Sequence, residues 1–180
     1  SASGSDWLVV DGFDRVLGGS WTAPSHDFAA AVSAALGEGA STASNEAVIT
    51  GAVDLQDYAR VLWLLGDEGV ADWTFNTWEQ QTIEDFLDAG GQIVVSGSEV
   101  GYAGDRDWLE NTLGATYIAD DAETVMAGGY EFGVAYEEDW PDELDGDEVI
   151  WTYSTGGGAA VGTRDRRVVV VGFPLETLHP

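Results

Sequence analysis

The sequence has no cysteine, no lysine, two histidines and six arginines in 180 residues. Without cysteine the chain can form no disulfide, hold no thiolate-ligated zinc or iron–sulfur cluster, and offer no thiolate nucleophile. This leaves the compartment open, because secreted and cytosolic proteins alike can lack the residue. The six arginines stand against 33 acidic residues, for a formal charge of −27. Nucleic acids and anionic membrane surfaces both demand a basic footprint, so neither is an expected partner. No apolar run approaches the roughly 20 residues that span a bilayer, and none of the membrane-inserting classes is expected. Ser1 to Ser5 has neither the charged nor the apolar region of a signal peptide. It reads as a linker or an appended tail, with residues 6–180 forming a single domain, excised from a larger protein with flanking domains.

What is present is burial capacity: 44% hydrophobic residues, with eight Trp, six Tyr and six Phe. Disordered acidic tails lack such content, and a chain of this length buries roughly 70% of its unfolded surface, so it is expected to fold without a staple. The acidic excess self-repels at low salt and stays soluble at high salt. That fits halophilic adaptation and equally fits a secreted bacterial protein.

Short apolar runs alternate with helical patterns. Trp7 to Val10, Val61 to Leu65 and Ile93 to Val95 each run straight into a glycine or acid turn, as strands buried on both faces do. Ser25 is placed to cap a helix ending at Leu36 before Gly37, Thr77 and Gln80 have capping-box spacing for a helix to Ala89, and a third helix runs from Asp107 to Leu113 before Gly114. This alternation predicts an α/β, three-layer domain with a mainly parallel sheet. Beyond Ala115 short β-prone pieces (116–118, 130–136, 149–153, 159–162 and 168–172) predict antiparallel additions. The acidic stretch Glu137 to Glu148 reads as a solvated loop, since its phase does not match a calcium-binding loop.

In an open parallel sheet, ligands bind outside the carboxyl ends of the strands. The residues expected there are Asp11, Asp14, Asn45, Glu46, Glu68, Ser98, Glu99, Tyr102 and Glu176. Glu99 stands out, because Gly97-Ser98-Glu99-Val100-Gly101 follows a buried strand with glycines placed as in a nucleophile elbow.

The order of strand, Asp11-Gly12-Phe13-Asp14, Ser44-Asn45-Glu46, the Trp78-Glu79-Gln80 helix, Gly97-x-Glu99-x-Gly101 and terminal Gly172-Phe173-Pro174-Leu175-Glu176 resembles the class I glutamine amidotransferase-like, flavodoxin-like domains. The resemblance is strongest to the extracellular bacterial branch often labelled xanthan-lyase-like or N-acetylmuramoyl-L-alanine-amidase-like. It implies a secreted or cell-surface protein that meets carbohydrate or cell wall. In that family the elbow carries cysteine, and a later His-x-Glu pair supplies the base. Here Glu99 and Pro174 hold the cysteine and histidine positions, so cysteine amidotransferase activity is excluded.

A Ser98 triad is disfavoured, since Ser96 and Val100 flank it and the only histidines are His26 and His179. Three readings follow. The crevice binds a carbohydrate or cell-wall fragment without catalysis; or Glu99 with Glu46, Glu68 or Asp11 hydrolyses such a substrate, since two carboxylates suffice for glycoside hydrolysis; or the domain is structural. Trp21, Trp73, Trp108 and Tyr102 could stack on sugar rings or simply pack. No cofactor is expected; if a metal binds, Asp11, Glu68 and Glu99 suit Ca²⁺ or Mg²⁺.

Overall fold

The computed structural model describes residues 6–14, 27–37, 40–67, 73–133 and 140–178. The elements are β1 (Trp7–Asp11), α1 (Asp27–Leu36), β2 (Ala40–Ser44), α2 (Asn45–Ile49), β3 (Arg60–Asp67), α3 (Thr77–Asp88), β4 (Gln92–Ser98) and α4 (Arg106–Leu113). They are followed by β5 (Ala115–Ala119), β6 (Met126–Ala127), β7 (Tyr130–Glu131), β8 (Glu143–Gly146), β9 (Glu148–Thr152), β10 (Gly158–Gly162) and β11 (Val168–Val171). Nine strands make one mixed sheet in the order β2-β1-β3-β4-β11-β10-β8-β5, with β9 beside β10. The run β2-β1-β3-β4-β11 is parallel throughout. The strands beyond it are antiparallel, as the C-terminal composition predicts, but Val168–Val171, expected among those additions, instead pairs parallel with β4 and closes the parallel run.

The apolar runs are continuous because both sheet faces are covered. Leu8, Val10, Val61, Trp63, Leu65, Ile93 and Val95 point to one side, where they meet Ile83 and Phe86 of α3 and Trp108, Leu109 and Leu113 of α4. The alternate residues Val9, Leu62 and Leu64 point to the other, against Ala29 of α1. Under the antiparallel part, Val171 and Phe173 pack with Phe132, Tyr153 and Ala160.

Of the predicted helix ends, Gly37 and Gly114 follow α1 and α4 as expected, and the start of α3 differs. The box at the start of α3 is Asn76 with Glu79, one residue before the expected Thr77 with Gln80: Asn76 is extended (φ −72°, ψ 167°), its side chain accepts from the Trp78 and Glu79 N–H groups, and Glu79 Oε2 accepts from the Asn76 N–H at 2.8 Å. Thr77 is already inside the helix and cannot cap it. Helix α4 is capped by Asp105 and ends at Gly114 in left-handed backbone. The Ser25 cap and both histidines lie outside the described residues. The Arg167 guanidinium donates to the carbonyls of Leu87 and Gly91, completing the end of α3.

The reading of Glu137 to Glu148 as a solvated loop is overturned over its described part. Glu143–Gly146 is an interior strand paired with both β10 and β5, and Asp142 ahead of it is fully buried. Strand β2 was also unforeseen, because Ala-Ser-Thr-Ala-Ser has no apolar run; as an edge strand paired only with β1, it needs little burial. Among the described residues no helix is long and apolar enough to cross a membrane.

Candidate functional site

The parallel strands bring Gly12 to Asp14, Asn45, Glu99 and Gly172 to Glu176 to one edge of the sheet, the carboxyl edge. At the end of β4 the chain turns sharply. Glu99 sits at φ 59°, a left-handed conformation that costs a non-glycine residue about 1–2 kcal/mol. The flanking glycines are required by close approach. A Cβ on Gly97 would lie 2.7 Å from Leu65 Cβ, and one on Gly101 2.9 Å from Tyr117 Cδ2. The turn is held by the Glu99 N–H donating to Trp140 O and by the Thr74 hydroxyl donating to Glu99 O, both at 3.3 Å. The Glu99 side chain is buried.

The segment Trp140 to Asp142 crosses the ends of β4 and β11, with the Asp142 N–H donating to Gly172 O at 2.8 Å. Asp142 Oδ2 accepts from the Gly101 N–H at 2.6 Å, tying this segment to the elbow. Its Oδ1 is buried and has no hydrogen-bond partner among the described residues. Burial, and then the neighbouring Glu99 and Asp120 charges, push the Asp142 carboxyl up to about 8 against the opposing N–H groups of Gly101 and Tyr102. At neutral pH a protonated carboxyl therefore adjoins Glu99. Around them, burial followed by the Asp142 and Asp120 charges pushes the Tyr117 phenol up to about 12. The Arg106 guanidinium lies 3.9 Å over the Tyr117 ring, while its Nε donates to Gly101 O at 3.1 Å. Tyr102 is exposed beside Tyr117, the ring centroids 6.3 Å apart.

A second polar group forms at the ends of β1 and β2. The two amide hydrogens of buried Asn45 go to Asp14 Oδ1 and Glu79 Oε1, each at 2.9 Å, and its Oδ1 accepts from the Glu46 N–H. Burial raises the Glu79 carboxyl above its ordinary value; the Asn45 and Asn76 hydrogen bonds oppose that rise, while the Asp14 and Glu46 charges add to it.

The expected residues thus fall into two groups rather than one. Asp14, Asn45 and Glu46 gather around Glu79, whereas Glu99 gathers with Asp142. The Glu99 charge acts on Asp142, and the charges acting on Glu79 include Glu46. Asp11 closes its own turn, accepting from the Phe13 N–H. Ser98 is fully buried at the end of β4, and Glu176 is half-buried in the short turn after β11. Glu68 and Trp21 lie outside the described residues. Trp108 is a core residue whose indole donates to Glu84, so its packing role is the one realised. Asp142, Asp120, Tyr117, Arg106 and Glu79 were missed. Only Glu79 had a local signal, in its helix-start position; Asp142 meets the elbow 41 positions away in sequence. Among the described residues no group of three acid or histidine side chains is arranged to hold a metal ion. No known protein-family profile matches the chain, and no curated protein matches it.

Proposed function

We propose that this is a ligand-binding module with a three-layer, flavodoxin-like architecture, related to the amidotransferase-like domains of extracellular bacterial proteins, which binds a carbohydrate or cell-wall fragment at the crevice around Glu99. The strand order β2-β1-β3-β4-β11 supports the architecture, being the doubly wound order in which ligands sit outside the strand carboxyl ends. The observation that carries the reading is the backbone of Glu99: a charged, buried residue held left-handed at the end of a central strand, where glycine would be free of strain. Such outliers concentrate at functional sites, where surrounding structure over-determines them. Thermal unfolding of wild type and Glu99→Gln against glycans and peptidoglycan fragments tests it. A ligand at 100 times its Kd stabilises by about 2.7 kcal/mol. The expected result is a shift in wild type that Glu99→Gln loses; equal behaviour of the two proteins with every ligand overturns it.

Asp142 favours a second reading, carboxylate-dependent hydrolysis. A carboxyl kept protonated near neutral pH, with a second acid, Glu99, next to it, would supply the acid and the base or nucleophile that glycosidic cleavage needs. Turnover of a bound glycan that disappears in both Glu99→Gln and Asp142→Asn supports it. Binding without turnover in wild type removes it.

A further inference from the structure

Beside the elbow, a pocket of 260 Å³ opens between the first turns of α3 and α4, lined by Trp73, Phe75, Asn76, Thr77, Gln80 and Asp105. Trp73 is 66% exposed, while its neighbours Thr74 and Phe75 are buried. An indole left this open forgoes a large apolar contribution, since an aromatic side chain carries 150–250 Å² of buriable surface. A scattered surface aromatic needs no explanation; this one stands over a cavity with a particular set of polar groups. Asn76 Oδ1 is taken up by the helix cap, which leaves the Asn76 amide hydrogens as donors. Gln80 uses its amide nitrogen on Phe75 O and keeps its oxygen as an acceptor. Asp105 uses Oδ1 to cap α4 and keeps Oδ2. The Thr77 hydroxyl can donate or accept.

We propose that this pocket is a subsite for one ring of a neutral saccharide, with Trp73 as the stacking platform and Asn76, Thr77, Gln80 and Asp105 reading the ring hydroxyls. The proposal rests on the crevice being a ligand site, because the Thr74 hydroxyl on Glu99 O ties the pocket wall to the elbow. A sugar ring has an apolar C–H face and a rim of groups that each donate and accept, which matches one indole surrounded by separate donors and acceptors. The volume lies below the roughly 300–1,000 Å³ of pockets that hold drug-sized ligands, so it suits a single ring. Charge decides between saccharide classes. The lining holds one carboxylate and no cation, and the chain carries −27, so uronate-rich or phosphorylated sugars are repelled. A nucleotide is disfavoured for the same reason.

The test is titration of the whole ¹⁵N-labelled chain with chitotetraose, cellotetraose and tetragalacturonate, following the tryptophan indole cross-peaks, repeated with Trp73→Ala, Trp73→Phe and Glu99→Gln. The exposure of Trp73 makes its substitution harmless to folding, and the Glu99→Gln titration provides a reading independent of it. A saturable shift of the Trp73 indole by a neutral tetrasaccharide, weakened roughly tenfold in Trp73→Ala and less in Trp73→Phe, with no shift from tetragalacturonate, upholds the subsite. Binding retained in Trp73→Ala but lost in Glu99→Gln overturns the subsite and leaves the crevice reading standing. Binding lost in Trp73→Ala and unchanged in Glu99→Gln upholds the subsite and removes Glu99 from the ligand. An unmoved Trp73 indole with both neutral sugars, or an equal shift from tetragalacturonate, overturns it.

Discussion

Replacing Asp142 by asparagine isolates the charge state of the buried acid pair. In the folded chain this carboxyl is pushed up to about 8, by burial first and then by Glu99. In the unfolded chain it returns to about 3.9. Below pH ~4 both states hold the proton and folding is not opposed. Between pH ~4 and ~8 the unfolded chain releases the proton while the folded chain keeps it, so stability falls steadily as pH rises, and the loss is complete above the folded value. A rise from ~3.9 to about 8, at ~1.4 kcal/mol per tenfold change in proton affinity, corresponds to a total on the order of 5 kcal/mol. Asparagine keeps an acceptor for the Gly101 N–H and never ionises. The expected outcome is a variant close to wild type at pH 4.5 and more stable by several kcal/mol at pH 8.5. Urea unfolding followed by tryptophan fluorescence across that range measures it, and the difference between the two proteins cancels the contributions of Glu79 and of general self-repulsion. A stability gap that does not widen with pH, or a variant less stable than wild type at pH 8.5, refutes the reasoning.

Glu99→Gly relieves the left-handed backbone and is expected to raise stability by about 1 kcal/mol while abolishing the glycan-dependent thermal shift; a loss of stability would show that the side chain, not the strain, governs the turn. Asn45→Ala removes the amide shared by Asp14 and Glu79 and leaves the buried Glu79 carboxyl with the Asn76 N–H alone, so urea unfolding should show a loss of about 1–3 kcal/mol that grows as pH rises and Glu79 ionises. Phe173→Ala empties a fully buried site whose ring stacks on Phe132 with centroids 4.4 Å apart, and calorimetry should register about 3–5 kcal/mol.

Most of the parallel half of the fold was legible because β1, β3, β4 and β11 each carry a run of apolar residues, which β2 lacks. Val61 to Leu65 can only be buried on both faces, and Gly97-Ser98-Glu99-Val100-Gly101 can only be a close-packed turn. The register of the antiparallel half was not legible. Strand β8 contributes only Leu144 to the core, and what makes it a strand is pairing with β10 and β5, which no local pattern records. For the same reason Glu99 was found and its partner was not. The glycines around Glu99 are adjacent in sequence, whereas Asp142 is recruited from an acidic run in which nothing distinguishes it from its neighbours. The cap of α3 shows the limit at finer scale: Asn76-Thr77-Trp78-Glu79-Gln80 contains two overlapping capping-box spacings, and only the extended backbone at Asn76 selects between them.

Glu99 and Asp142 each depart from what stability alone favours, and they do so side by side. Glycine at position 99 would remove a backbone cost, and an uncharged residue at position 142 would remove the desolvation of an acid that the folded chain keeps protonated. A structural turn needs neither feature, since Thr74, Trp140 and Gly101 would hold the same hydrogen bonds with a glycine and an asparagine in place. Departures from local consistency belong at sites where another requirement applies. The Asn45 group, at the same edge of the sheet, obeys the opposite logic: its acids are met by amides and helix-start N–H groups, as acids in a structural network should be. On the proposed reading, the contrast gives the β1/β2 end of the crevice to support and the β4/β11 end to recognition or chemistry. Asp142→Asn then discriminates between those two uses: a variant that is stabilised and still binds its glycan leaves the proton of Asp142 needed only for a reaction, while one that is stabilised and binds nothing makes that proton part of the recognition itself.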